Sequence, residues 1–152
     1  MISGVRIALD VGSVRIGVAK CDAEGLLATP LTTISAGPNA LLEVGELVQE
    51  HEAVCVYVGK PISLSGKDTA STQAAIEFAQ ELVALLGQST AQVRLIDERL
   101  STVSAQRGMH EAGRNIKQSR DAIDQAAAVV ILEHALASER NSGALVGEEV
   151  SF

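Results

Sequence analysis

The segment Ala53–Val58, with the sequence AVCVYV, constrains the fold more than any other, because it is an unbroken apolar run. A strand with one face in water alternates apolar and polar residues, whereas an unbroken run of this length is typical of a strand buried on both faces. Such strands belong to parallel sheets that helices cover from both sides. The segment therefore predicts an α/β fold.

The rest of the chain supplies the other elements of such a sheet. Two β-branched segments, Val5–Asp10 and Arg15–Cys21, are separated by a short turn and predict an antiparallel hairpin, after which Leu27–Ile34 predicts a third strand. Apolar spacing and turn residues then predict a helix over Asn39–Val48, the strand Ala53–Val58, a helix over Thr69–Leu86, a strand over Val93–Ile96, a helix over Ser101–Ala112, a polar loop over Gly113–Ser119 and a helix over Asp121–Ala137. The order β-β-β-α-β-α-β-α-α predicts a five-stranded mixed sheet with helices on both faces.

Length and hydropathy predict one domain. The chain has 152 residues, of which 47% are hydrophobic, and we expect a single domain over 1–138 followed by a weakly ordered acidic tail over 139–152. The longest purely apolar run, Ala126–Leu132, is far shorter than the roughly 20 residues of a membrane span. The N-terminus lacks the pattern of a signal peptide, so we expect a cytoplasmic protein. The two cysteines, Cys21 and Cys55, are expected to be buried, reduced thiols.

The charge of the chain is acidic overall but unevenly distributed. A formal net charge of −7 and only three aromatic residues exclude polybasic binding and recognition by stacked aromatic rings. No Lys or Arg lies between Lys20 and Lys60, whereas five lie from Arg99 to Arg120, where Glu111 is the only acid. This asymmetry is compatible with one positive face on an acidic protein, and also with ordinary solvated charges on helices and loops.

Acidic residues stand at the ends of three predicted elements. Asp10 ends an apolar strand, Asp97 and Glu98 end another, and Asp124 lies near the start of the last helix. Each has a plain structural explanation: a turn, a solvated strand end, and an acid at the positive end of a helix. Because side chains alternate along a strand, only one of Asp97 and Glu98 can face the same side as Asp10. The alanines Ala126–Ala128 would let the helix approach the sheet closely.

Taken together, the three carboxylates predict a site for hard cations. Oxygen ligands select Mg²⁺ or Mn²⁺, and two such ions can cleave a phosphodiester by activating water and stabilising the leaving oxygen. If the three carboxylates share one site, each would raise the pKa of the others in the absence of metal. A purely structural role for them is therefore hard to rationalise.

Four separated segments match the motifs of one family in order and spacing. They are Ala8–Ala19, Tyr57–Pro61, Asp97–Thr102 and Ile123–Leu132. With them the chain resembles the YqgF/RuvX family, a branch of the ribonuclease H-like superfamily, over roughly residues 5–137. The resemblance implies that Asp10, Glu98 and Asp124 are the catalytic acids and metal ligands. Lys60 and Ser104 stand where the family commonly has Leu and Glu.

The resemblance also implies an activity and its partners. Family members are proposed to mature the 5′ end of pre-16S ribosomal RNA during ribosome biogenesis, and were earlier proposed to resolve Holliday junctions. We therefore expect a ribonuclease H-like, two-metal nuclease that uses Mg²⁺ or Mn²⁺. Its expected substrate is structured RNA or branched DNA, and ribosomal precursor particles are further candidate partners. The candidate nucleic-acid contacts are Arg99, Arg107, Arg114, Lys117, Arg120 and Lys60, with Arg15 and Lys67 as weaker candidates. Both a monomer and a homodimer stay open.

Two other classes of function compete with this interpretation. A non-catalytic RNA-binding factor in ribosome assembly or transcription would use the same basic segment, with the carboxylates as relics. A nucleotide-binding protein is the other competing class, because the turn over Asp10–Gly17 resembles the phosphate-binding turn of the actin and sugar-kinase group. Those proteins generally need two such domains, and 152 residues provide one.

Overall fold

The protein forms one mixed sheet flanked by helices. The computed structural model describes residues 2–62, 65–87, 91–97 and 116–151, with the backbone alone over 116–122. Within these ranges the elements are β1 (Arg6–Val11), β2 (Arg15–Cys21), β3 (Ala28–Ser35), α1 (Ala40–Glu50), β4 (Cys55–Lys60), α2 (Ala70–Leu86), β5 (Gln92–Asp97), α3 (Ile116–Ser142) and β6 (Glu148–Glu149). The strands lie in the order β3-β2-β1-β4-β5-β6. The pairs β1–β4 and β4–β5 are parallel and the other three are antiparallel.

The apolar run in β4 lies in the parallel centre of the sheet, as predicted. Cys55, Val56, Tyr57 and Val58 are all fully buried, between β1 on one side and β5 on the other. Cys55 and Cys21 are both free thiols and both buried. Burial raises the pKa of the Cys55 thiol to about 12, which keeps it protonated and unreactive.

Alternation along the strands builds two cores, one on each face of the sheet. On one face Leu9, Val56 and Val58 pack in a cluster with residues of α1 and α2. On the other face Ala8 and Tyr57 pack in a cluster with residues of α3. The predicted mixed sheet with helices on both faces is therefore confirmed.

The last helix is longer than the sequence pattern predicts. α3 begins at Ile116, inside the segment predicted as a polar loop, and continues to Ser142, beyond the predicted end at Ala137. The polar character of its first turns suggested a loop, but Lys, Gln and Arg are good helix formers. The predicted helix over Ser101–Ala112 lies outside the described residues.

A sixth strand corrects the predicted five-stranded sheet. β6 lies in the predicted acidic tail and pairs antiparallel with β5, with Glu149 opposite Arg94 and Glu148 opposite Leu95. The two-residue strand carries no apolar pattern, so only its pairing with the edge of β5 reveals it. In the described part of the chain no helix is long and apolar enough to cross a bilayer.

Candidate active site

Asp10 and Asp124 meet on the α3 face of the sheet. Asp10 lies two residues after Ala8 in β1, so its side chain is on the face that α3 covers. Its partner across the β1–β2 ladder is Gly17. A Cβ atom at Gly17 would overlap the backbone carbonyl of Asp124, which shows that the backbone of α3 rests directly on this glycine. The strand pairing and this close approach bring the two acids together.

The surroundings of Asp10 disfavour its charged form. Burial, and second the nearby charge of Asp124, raise the pKa of the Asp10 carboxyl from 3.8 to about 6. At neutral pH Asp10 is ionised although it is largely removed from water and lies near a second carboxylate, and both conditions are unfavourable for its charge. A cation bound at the two groups would offset both effects.

Arg15 forms a salt bridge with Asp124. Its Nε atom donates a hydrogen bond to Asp124 Oδ2 over 2.8 Å, and both side chains are partly shielded from solvent. The sequence pattern placed Asp124 in the first turn of the last helix, where the positive helix end would account for an acid. Because α3 begins at Ile116, Asp124 lies beyond its first two turns, and that explanation fails.

Sequence reasoning missed two anchors that position this part of α3. The first is Gly17, for which the available signal was a glycine inside a β-branched strand, a pattern that often marks a close backbone approach. The second is a hydrogen bond of 2.9 Å from Gln125 Nε2 to Thr33 Oγ1 of β3. Nothing in the local sequence around Thr33 indicates that contact.

Lys60 and Asp97 lie on the opposite face of the sheet from Asp10. They pair with each other across β4 and β5, and Lys60 follows the alternation of Val56 and Val58, which face α1 and α2. The ammonium group of Lys60 lies 3.6 Å from Glu148 Oε2. The contact of Lys60 with nucleic acid stays a prediction, and in the structure its ammonium group already has Glu148 as an acidic partner.

Several predicted site residues cannot be placed in the same way. Glu98, Arg99, Arg107 and Arg114 lie outside the described residues, and Lys117 and Arg120 lie in α3 ahead of Asp124, where the backbone alone is described. The structure thus brings together two of the three predicted acids. Among the described residues no group of three or more His, Cys, Asp and Glu side chains is arranged for a metal.

The donor set nevertheless fits a hard divalent cation. Asp10 and Asp124 offer carboxylate oxygens, the ligands that Mg²⁺ and Mn²⁺ prefer, and Mg²⁺ needs few protein ligands besides water and phosphate. Asp97 belongs to the other face, and Glu98, the third predicted ligand, lies outside the described residues. The two described acids are suited to hold such an ion.

Asp10→Asn is expected to stabilise the metal-free protein at pH 7.5, by up to about 3 kcal/mol, the equivalent of a pKa rise from 3.8 to about 6. Below pH 3.8 Asp10 is protonated in both the folded and the unfolded state, so the gain vanishes. It develops between pH 3.8 and 6 and is complete above pH 6. Urea unfolding in EDTA at pH 4, 5 and 7.5 measures it.

The control is Glu50→Gln, which removes a charge from an exposed position on α1 and should change unfolding by less than about 0.5 kcal/mol at each pH. A gain from Asp10→Asn that is the same at pH 4 and pH 7.5 would contradict the assigned charge strain.

Comparisons with known proteins show the family of the chain. The profile of the family described as "RuvX: Holliday junction resolvase" matches residues 4–138. A relative from Leifsonia xyli, named as a proposed pre-16S rRNA nuclease, is 47% identical, the alignment covering 99% of this chain and 96% of the relative. A protein of the same name from Streptomyces avermitilis is 45% identical over the same shares.

The fold has a solved counterpart. Thermus thermophilus RuvC, in a complex with a Holliday junction substrate, superposes with a TM-score of 0.62 at 14% identity, covering 97% of this chain and 99% of that one. At this identity the likeness concerns the fold, which is ribonuclease H-like as predicted. The family match over most of the chain and the relatives above 40% identity carry the assignment: the chain belongs to the RuvX family of nucleases.

Proposed function

We propose that this protein is a divalent-metal-dependent endonuclease that processes the 5′ end of pre-16S rRNA, with Asp10, Glu98 and Asp124 as its metal ligands. The observation that carries the proposal is the meeting of Asp10 and Asp124 on the α3 face, where burial and mutual charge raise the pKa of Asp10. A stable fold has no need of two carboxylates placed in this way. The substrate is supported by the names of the relatives.

The chain's own residues prepare the site for a phosphodiester. Mg²⁺ or Mn²⁺, when bound, activates the attacking water and offsets the charge of the phosphate. Asp10 is delivered by a central strand and Asp124 by a helix packed on it, so both ligands sit on rigid elements. The basic residues from Arg99 to Arg120 are proposed to bind the phosphate backbone on either side of the cleaved bond.

Cleavage of branched DNA is the second candidate activity. The description of the matched family, "Holliday junction resolvase", favours it. Both substrates contain phosphodiester bonds, and they differ in their branched or single-stranded shape and in the 2′-hydroxyl. The chemistry of the described residues serves either substrate.

The test offers both substrates to the same protein. Purified protein is incubated with an RNA carrying the 5′ precursor end of 16S rRNA and, separately, with a four-way DNA junction, with Mg²⁺, Mn²⁺ or EDTA. We expect metal-dependent cleavage of the RNA, and a loss of at least about 10³-fold in rate, or ~4 kcal/mol, for Asp10→Asn and for Asp124→Asn. Glu50→Gln, an exposed charge change on α1, is the matched control.

The outcomes separate the candidates. Cleavage of the junction alone would replace the RNA substrate by branched DNA. Salt-sensitive RNA binding without cleavage at any metal concentration would favour the non-catalytic factor. Cleavage that survives in Asp10→Asn would refute the proposed site.

A further inference from the structure

We propose that Arg15 is a positioning residue for the metal site: it holds the Asp124 carboxylate through Oδ2 and thereby directs Oδ1 to the metal. The inference rests on the proposed function, because it needs a metal at Asp10 and Asp124. The sequence indicates Arg15 only as a weaker candidate for contact with nucleic acid, whereas the structure pairs it with Asp124.

The geometry ties Arg15 and Asp124 to the same strand. The backbone of Asp124 packs directly on Gly17 of β2. Arg15 lies two residues earlier, on the same face of that strand. The backbone contact places the Asp124 main chain but leaves its carboxylate free to rotate. The hydrogen bond from Arg15 Nε to Oδ2 removes that freedom and uses one of the two carboxylate oxygens.

The charge of Arg15 also suits this role. Asp10 and Asp124 lie on the same face of the sheet, and two ionised carboxylates there repel each other until a cation binds. A guanidinium group stays protonated at every relevant pH, and it binds a carboxylate in a fixed plane. Groups that orient a ligand in this way typically change metal affinity about 10–100-fold when they are removed.

Two other roles for Arg15 make different predictions. If its guanidinium merely occupies the place of the metal, removing it will tighten metal binding. If it binds substrate phosphate, removing it will weaken nucleic-acid binding and leave metal affinity unchanged. A positioning role predicts weaker metal binding in the absence of any substrate.

The experiment measures Mn²⁺ affinity without nucleic acid, by calorimetry and by the EPR signal of free Mn²⁺. For Arg15→Met we expect a loss of about 10-fold or more in affinity. Arg15→Lys restores the charge but not the planar donor, so we expect a partial recovery. Lys20→Met is the matched control, because it removes the same charge from the other face of the same strand and should leave Mn²⁺ affinity unchanged.

Circular dichroism and urea unfolding of each variant show that the fold is kept. With substrate, Arg15→Met should lower kcat at saturating RNA and raise the Mn²⁺ concentration needed for half-maximal rate, which a purely structural role would not do selectively.

Unchanged or tighter Mn²⁺ binding by Arg15→Met would overturn the inference while leaving the proposed function intact. Complete recovery of Mn²⁺ affinity in Arg15→Lys would show that only the positive charge of Arg15 matters, and this result would also overturn the inference. If the wild-type protein and Asp10→Asn bind Mn²⁺ equally, the proposed metal site itself fails, and the inference fails with it.

Discussion

Glu139→Leu is expected to lower the free energy of unfolding by about 3–5 kcal/mol, because it leaves the guanidinium of Arg6 buried without its carboxylate. Arg6 and Glu139 are 3% and 5% exposed, and Arg6 Nη2 lies 2.7 Å from Glu139 Oε1. Without Glu139, the buried guanidinium of Arg6 has no water molecules around it that could replace the lost carboxylate. Urea unfolding at pH 7.5 measures the loss.

The network around Glu139 accounts for the size of the expected effect. Tyr57 donates a hydrogen bond of 2.6 Å to Glu139 Oε2, and its hydroxyl accepts one from the backbone N–H of Val146. Burial, and second the bond to Glu139, raise the pKa of Tyr57, so the phenol stays protonated and keeps donating. In the described part of the chain Arg6 Nε is a buried polar atom without a hydrogen-bond partner. The guanidinium therefore depends strongly on Glu139.

A double variant separates the pairing from the packing. Arg6→Met combined with Glu139→Leu replaces both charges by apolar groups, a change that is often neutral or stabilising for buried pairs. We expect the double variant to be more stable than Glu139→Leu alone by at least about 2 kcal/mol. Glu133→Leu, at an exposed position of the same helix, should cost less than about 0.5 kcal/mol. Additive losses in the double variant would contradict a coupled pair.

Gly17→Ala is expected to destabilise the protein by about 3 kcal/mol or more, the upper range for added volume in a packed core. The new Cβ would overlap the carbonyl oxygen and carbon of Asp124, which are backbone atoms that cannot rotate away. Either α3 must move off β2 or the sheet must deform. Because the displaced residue is Asp124, we also expect the variant to lose Mn²⁺ affinity.

The matched control is Gly37→Ala, since a Cβ at Gly37 meets nothing within 4 Å. Reduced freedom of the unfolded chain should make this variant neutral or slightly stabilising. Thermal unfolding and Mn²⁺ titration of both variants test the comparison, and equal stability of the two would show that α3 does not depend on Gly17.

The two predictions concern opposite ends of one contact. α3 crosses the same face of β1 that carries Arg6 at its start and Asp10 near its end. Glu139 pairs with Arg6, and the charge of Asp124 acts on Asp10, so the chain directions of α3 and β1 are opposed; the two helix residues are 15 positions, or about 22 Å, apart. The buried pair Arg6–Glu139 holds one end of the helix, and the contact at Gly17 sets the position of the end that carries Asp124.

Periodicity predicted the elements well where packing follows a simple rule. The run in β4 indicated a doubly buried strand, and the structure places it in the centre of the sheet. The start of α3 and the pairing of β6 escaped the pattern, because polar helical turns and two-residue edge strands bury too little apolar surface to leave a periodic signal. Their formation depends on neighbours distant in the chain.

The sequence predicts the acids of the candidate site but not the contacts that hold them. Asp10 stands at a strand end and Asp124 in the last helix, and the structure brings the two together. Lys60 also ends a strand, yet alternation places it on the other face, beside Glu148. Arg15 is an ordinary cation in the sequence, and only the packing of α3 on β2 makes it a partner of Asp124.

The α/β fold, the family and the acids expected to bind metal could be predicted from local periodicity and from motifs along the chain. How those acids are held follows from the packing of distant segments. Arg15 pairs with Asp124 across 109 positions and Arg6 pairs with Glu139 across 133, while Gly17 contacts the backbone of the same Asp124. Contacts of that range depend on the packing of one helix against one sheet. A local pattern can mark Gly17 as a point of close backbone approach, but it does not identify the residue that approaches.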